Sequence, residues 1–512
     1  MKLRVLLSVG LAIGTPSLAR SPAPAPAPAP ALSVTRVSLT ASERHGVEAE
    51  VRAQMKRRSI PGLQIAIVRH GGIAFSNAYG IADVETGAGV TPVSLFTLNS
   101  STKAFTGVAI MQLVQTGKVS LDATASTYLE DLPAAWRSIT VRQLLTHVSG
   151  LPDILDLPSG QGTGTLVGTG GETSAWDTIR KRPIEAAPGA RYRYNQTNYV
   201  ILGKIIDRVA GMPFARFVAE RQFAPVGVRL AYGDARDVVP GRVRTYRYAG
   251  GMVDGSAVGR PLEHAFDEFP PFLRTAGGLN GSATDVARWL IALEDGLLIA
   301  PATRDAMWSP GRFADGRSTP WGMGWPLRPS GPHPAATAIG GRRSAFFVYP
   351  KDHLAIVVLA NLAGANPEEF IDEIAGVFFP EMRLVNGGGL TPQVNRLRLG
   401  LEQNGWNTPD AVYAQLQRET PGFVIDENEL NDWGGRLLGA GRLDEAVAVF
   451  VLNTRLRPNS FNTWDSLGES YEAQGKAADA VKTYRRSLEL DRSNEHAKAR
   501  LFALSSTKPS TP

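Results

Sequence analysis

The tetrapeptide Ser100-Ser101-Thr102-Lys103 offers the most direct route to chemistry in this sequence. A serine hydroxyl is a poor nucleophile near neutral pH and needs a base within hydrogen-bond reach. The 512 residues include no cysteine, which removes thiol nucleophiles, disulfides and thiolate-bound zinc. If the segment opens a helix running through Phe105 to Gln115, positions 100 and 103 fall one turn apart on one face, and a Lys103 amine can take the Ser100 proton. The first turn of such a helix also aims backbone N–H groups at an anion forming there. The same four letters recur at Ser505 to Lys508, just before Pro509. Context selects the first copy, which follows Leu95 to Leu98 and precedes an amphipathic helix.

Elements able to position this pair can be read around it. Leu63 to Arg69 and Leu354 to Ala360 are short, β-branched apolar runs that suit buried strands, and Ser344 to Tyr349 is strand-like. Helical stretches such as Ala104 to Gln115 and Asp285 to Leu293 lie between the two outer runs. Strands at both ends with helices between predict one sheet assembled from distant parts of the chain plus helical layers, an α+β arrangement over residues 41–385.

Residues 386–425 read as a Gly/Pro/Asn-containing connector with some helix, and a repeat follows over 426–505. Trp464, Leu467, Gly468, Tyr471, Gly475, Ala480 and Tyr484 resemble the tetratricopeptide pattern, and Leu430, Trp433, Gly434, Leu437, Gly441, Ala446 and Phe450 repeat it 34 positions earlier. This predicts two helix pairs, a capping helix over Asn494 to Leu504, and a disordered tail at 506–512.

Four runs, LFTLNSSTKAFTGVAIMQLVQTGKVSLD (95–122), ITVRQLLTHVSGLPD (139–153), PGARYRYNQTNYVILGKIID (188–207) and TAGGLNGSATDVARWL (275–290), together resemble the β-lactamase-like serine hydrolases. These comprise class C β-lactamases, D-alanyl-D-alanine carboxypeptidases, D-aminopeptidases and esterases. The resemblance spans about residues 45–380 and implies a β-lactamase/transpeptidase-like antiparallel sheet with helical layers. It also implies three site elements: Ser-x-x-Lys, Tyr-x-Asn, and Lys- or His-x-Gly on a strand. The first is Ser100 and Lys103. The second is Tyr194, with Gln196 where asparagine is usual; Gln196 keeps the amide that binds a substrate carbonyl but changes its reach. The third departs further: Ala338-Ile339-Gly340-Gly341 has neither His nor Lys at 338 or 339. The resemblance implies that Gly341 N–H, opposite Ser100 N–H, completes an oxyanion hole beside Gly340. Arg342 or Arg343 is a candidate for the lost positive charge, a solvent-exposed arginine pair being the alternative. His147 belongs to the second run and is read as structural, and Ala276-Gly277-Gly278 as a close backbone approach to the site.

The expected reaction is acyl transfer through Ser100, Lys103 and Tyr194 on an ester or amide, of esterase or D-amino-acid/cell-wall peptidase type. Loss of the third-motif cation favours these over a true β-lactamase or D-Ala-D-Ala carboxypeptidase. A non-catalytic cell-wall or peptide-binding protein is the reading from another class. No cofactor is expected, since no HExxH pair, Walker loop or dinucleotide glycine fingerprint is present. The net charge of +6 is scattered rather than patched, which argues against nucleic acid. The expected partners are a small-molecule or peptide substrate and a protein bound through the repeats. Residues 1–19 read as a cleavable signal, with Lys2 and Arg4 before a short apolar core and Ser17-Leu18-Ala19 after it; a Pro/Ala-rich linker covers 20–40. The product is expected to be periplasmic or secreted, with no membrane span left after cleavage.

Overall fold

The structure is a computed structural model describing residues 37–156, 171–249, 261–266, 268–329, 332–384, 390–439 and 441–506. The signal segment, most of the Pro/Ala-rich linker and the tail from 507 onward lie outside the described residues; Ser506 itself closes the last helix, Glu495–Ser506.

Seven antiparallel strands form the central sheet. In chain order they are β1 (Gly62–Arg69), β2 (Gly72–Asp83), β3 (Ala88–Gly89), β4 (Leu327–Arg328), β5 (Ala335–Gly340), β6 (Ser344–Tyr349) and β7 (Leu354–Ala360). Across the sheet they run β3-β2-β1-β7-β6-β5-β4. The two apolar runs read as strands are thus direct neighbours, paired from Leu63 opposite Ala360 to Arg69 opposite Leu354. Every residue of β7 is buried, because both faces of the sheet are covered and the strand's period of two feeds two cores. Ala355, Val357 and Leu359 face one core with Phe105, Ile205 and Leu290. Leu354, Ile356 and Val358 face the other with Val47, Val51, Ile371 and Ile374.

Helices Thr102–Gln115, Gln196–Ala210 and Ala283–Glu294 cover the first face; Ala41–Arg57 and Ile371–Ala375 cover the second. Three of these helices start at capping residues that satisfy free backbone N–H groups. Thr40 makes a full capping box with Glu43, Asn195 accepts from Asn198 N, and Ser282 accepts from Asp285 N. The expectation of an amphipathic helix after Ser100 is corrected: Thr102 through Met111 are all buried. A helix buried on every side belongs inside a domain, and this one lies between the sheet and the neighbouring helices.

A small sheet of Phe96–Thr97, Leu279–Gly281 and Ala231–Tyr232 ties the chain before Ser100 to the Gly277-Gly278 segment.

Beyond residue 390 the described chain is helical throughout. The segment read as a connector holds two helices, Pro392–Asn404 and Pro409–Glu419, and the hairpins Glu427–Gly439 with Leu443–Leu456 and Phe461–Ala473 with Ala477–Leu490 follow. A Cβ at Gly434 would lie 2.6 Å from the Phe450 ring, and one at Gly468 would lie 2.6 Å from the Tyr484 ring. The glycines let each hairpin close on its aromatic residue. Gly400, 34 positions before Gly434, packs the first hairpin in the same way, against Val412. This hairpin also joins the helical segment to the sheet domain. Arg398 Nη2 meets Glu373 Oε1 at 3.0 Å, and Gln54 Nε2 donates to the other Glu373 oxygen at 2.7 Å.

Candidate active site

Ser100 sits in a single 3-10 turn, Asn99–Ser101, that runs directly into the buried helix Thr102–Gln115. Asn99 takes a left-handed φ of 47°, a conformation asparagine tolerates better than most residues. The turn is fixed from below by a residue the sequence did not flag. Ser344 Oγ, at the start of β6, donates to Leu98 O at 2.6 Å and lies 3.0 Å from Ser101 Oγ.

Lys103 is only 1% exposed, and its Nζ donates to Ala276 O at 2.9 Å. That carbonyl belongs to the segment expected to approach the site closely, and the segment is stitched to the helix by further bonds. Thr106 Oγ1 donates to Thr275 O at 2.7 Å, and Leu279 N to Thr102 Oγ1 at 3.3 Å. Burial pushes the Lys103 pKa below its usual 10.5; the Tyr194 hydroxyl, and more weakly Asp153, pull the other way. Desolvation therefore favours the neutral amine, the form that can accept a proton. The amine lies 4.7 Å from the centre of the Tyr194 ring.

Tyr194 precedes the cap residue Asn195 of helix Gln196–Ala210. Gln196 opens that helix, and its N–H donates to Asp153 Oδ1 at 3.1 Å. Asp153 ends the His147-to-Asp153 run; burial raises its pKa, opposed by the N–H groups of Leu155 and Gln196. Around Tyr194 stand His147 at 4.7 Å and Trp321 at 5.5 Å between ring centres.

A cleft of about 180 Å³ opens at Ser100. Ser100, Gln196, Ala276, Gly341 and Arg343 line it, with Leu155, Phe269 and Leu273 as its apolar wall. Gly340 to Arg343 form the β5–β6 turn, closed by Arg343 N donating to Gly340 O at 3.0 Å. Gly341 and Arg342 both have φ of 55°, the two left-handed central positions of a type I′ hairpin. A Cβ on Gly341 would overlap the Asn99 amide, and one on Gly340 would overlap Leu98 O, so both glycines are needed for this turn to touch the one carrying Ser100.

The structure thus brings Ser100, Gln196 and Gly341 to one cleft and sets Lys103 beside Tyr194. Gly340 packs behind the cleft. Arg342 does not line it; its Nε donates to Asn366 Oδ1 at 2.9 Å. Arg343 lines the cleft and is 4% exposed, so of the two candidates Arg343 and not Arg342 is at the cleft, and the picture of a solvent-exposed pair is corrected. Arg343 shares the cleft wall with Ser100, whereas Arg342 bonds Asn366. Sequence reasoning also missed Asp153, Trp321 and Ser344. Asp153 lay within a recognised run and could have been flagged, whereas Trp321 sits in a stretch with no pattern of its own and Ser344 opens a run legible only as a strand.

The family profile that matches this sequence is described as Beta-lactamase, and it covers residues 47–377, well over half the chain. The chain belongs to the beta-lactamase family. It is 26% identical over 267 residues to Penicillin-binding protein 4* of Bacillus subtilis (strain 168), covering 51% of this chain and 58% of that protein. The chain spans about three fifths of the length of two curated Bacillus subtilis relatives and 38% of the length of Protein flp from Staphylococcus aureus. Among solved structures, D-amino acid amidase from Ochrobactrum anthropi SV3 superposes with a TM-score of 0.55 at 23% identity, over 66% of this chain and 99% of that one. EstCE1, described as a hydrolase with promiscuous acyltransferase activity, superposes at 0.53 and 21%, over 64% and 96%. At these identities the superpositions establish that the β-lactamase/transpeptidase fold is shared.

Proposed function

We propose that this family member is an exported serine hydrolase that cleaves an ester or amide through an acyl-enzyme on Ser100. One observation carries the reading: Ser100 opens onto a cleft one turn before a buried lysine whose environment favours the neutral amine. Lys103 takes the Ser100 proton as Oγ bonds to the substrate carbonyl carbon, and the oxyanion is held by Ser100 N–H and Gly341 N–H. The bond to the leaving group then breaks, with Tyr194 passing the proton to the departing oxygen or nitrogen. Water attacks the acyl carbon in the second half, the Oγ–carbon bond breaks, and Ser100 recovers its proton.

The apolar wall of Leu155, Phe269 and Leu273 supports substrates with an apolar acyl group, an esterase or a D-amino-acid or cell-wall peptidase. Names among the relatives, an amidase, a penicillin-binding protein and an acyltransferring hydrolase, lie in the same chemical range. Arg343 in the cleft favours a second reading, a carboxylate-bearing substrate such as a β-lactam or a D-Ala-D-Ala peptide. The helices from 427 onward are read as tetratricopeptide-type repeats that recruit a protein partner, supported by the equivalent packing of Gly434 and Gly468.

The test is intact-protein mass spectrometry after exposure to a fluorophosphonate. A single adduct on the wild type, absent in Ser100→Ala and Lys103→Met, supports the reading. A folded wild type without an adduct overturns it in favour of a binding protein. Relative turnover of p-nitrophenyl esters, nitrocefin and D-amino-acid peptides then separates the two substrate readings.

A further inference from the structure

We infer that His147 is the positioning residue for Tyr194, clamping the backbone on both sides of the tyrosine while its imidazole lies beside the phenol ring. The inference rests on the acyl-transfer reading above and deepens it. His147 O accepts from Arg193 N at 2.9 Å, and His147 Nδ1 accepts from Asn195 N at 3.1 Å. Arg193 and Asn195 are the two residues flanking Tyr194. One residue therefore holds both N–H groups that bracket the tyrosine. Asn198 Nδ2 lies 3.3 Å from the same Nδ1. With backbone and amide donors aimed at it, Nδ1 is an acceptor and the ring proton resides on Nε2.

The ring itself is boxed in. It lies 4.7 Å from Tyr194, 5.2 Å from Tyr199 and 4.8 Å from Trp321, the last nearly perpendicular to it. Its Nε2 is buried and has no hydrogen-bond partner among the described residues. A buried imidazole with one nitrogen unsatisfied is a costly way to fill space. What it does that a phenyl ring cannot is accept the Asn195 N–H. His147 also holds a left-handed φ of 59°, a conformation stable only where the surroundings enforce it. Burial keeps the imidazole neutral, so its acceptor is present across the working pH range. The Lys103 amine lies against the same Tyr194 ring, so a shift of the tyrosine alters the contact between phenol and amine.

Two variants of the full chain separate positioning from packing. His147→Asn puts Oδ1 where Nδ1 was and tolerates the left-handed backbone; His147→Phe keeps the ring but removes the acceptor. With turnover of p-nitrophenyl butyrate measured per Ser100 titrated by fluorophosphonate, His147→Asn is expected within about threefold of wild-type kcat. His147→Phe is expected to lose roughly ten- to a hundredfold in kcat with KM little changed. Its acid limb in the pH–rate profile should move to lower pH, because Tyr194 is the main influence raising the Lys103 pKa. In a Tyr194→Phe background the His147→Phe change should cost almost nothing further. Wild-type kcat in His147→Phe, equal impairment of both variants, or full additivity with Tyr194→Phe overturns the inference. So does a failure of both variants to fold, which would make His147 a prop for the whole domain. A wild type that fluorophosphonate does not label overturns the acyl-transfer reading and this inference with it. A labelled wild type with an unimpaired His147→Phe variant overturns the inference alone.

Discussion

At the residue scale, catalysis on this reading depends on the protonation state of Lys103. Its folded pKa lies below 10.5, so the neutral fraction grows as pH rises and kcat/KM for a non-ionising ester should climb to a plateau with a midpoint under that value. Initial rates across pH check this, and a midpoint at or above 10.5 would contradict it. Replacing Lys103 with Met should lower the acylation rate about a hundred- to ten-thousandfold, the usual worth of a positioned base, with thermal unfolding little changed. His147 adds a stability effect of definite sign. Burial, and secondarily the Lys103 charge, hold its pKa well below 6.5, so the unfolded chain takes up that proton first. Stability should therefore fall as pH drops below about 6.5, by up to about 1.4 kcal/mol per pH unit from this one group. His147→Asn should remove that component, and denaturant melts at pH 7 and pH 5 will show a smaller drop in the variant than in the wild type.

At the scale of elements, what could be read in the sequence depended on whether the signal is local. The strands β1 and β7 were legible because an uninterrupted aliphatic run has few other uses. Ser100 and Lys103 were legible because their relation is one helical turn. The choice between Arg342 and Arg343 was not, because it rests on the geometry of the β5–β6 turn, and the sequence Gly-Gly-Arg-Arg does not declare its turn type. The clamp made by His147 was hidden for a related reason: its partners are backbone N–H groups more than forty residues further along, and every residue but proline has one. The hairpin from Pro392 to Glu419 was read as a connector because it keeps only Gly400 of the landmark positions that mark the two later hairpins. Those glycines make a testable point. Gly468→Ala would force a methyl group onto Tyr484, and overpacking of this kind costs about 1–3 kcal/mol. The C-terminal helices should melt earlier by circular dichroism while fluorophosphonate labelling of Ser100 stays at the wild-type level.

At the scale of the whole molecule, the sheet domain and the helical segment meet through a buried carboxylate. Glu373 receives Arg398 from the first C-terminal hairpin and Gln54 from the helix Ala41–Arg57, and burial raises its pKa against the pull of the arginine. Removing one member of a buried pair leaves the other uncompensated and costs about 3–5 kcal/mol. Arg398→Met should split thermal unfolding into two transitions, the helical segment melting first. A single unshifted transition would show that the contact contributes little to holding the segment in place.

The pairing of Leu63 with Ala360 also governs the order in which the molecule can be completed. During synthesis Ser100, Lys103 and Tyr194 all emerge while β1 still lacks its central neighbour, and the Gly341 turn and β7 follow only after them. The entropic cost of closing so long a loop grows only with the logarithm of its length, so the final sheet is hardly weakened by the separation. The rate suffers more, because contacts between distant parts of a chain form late. A chain halted before residue 354 would carry every residue that lines the cleft and still lack the strand that joins the two halves of the sheet behind it.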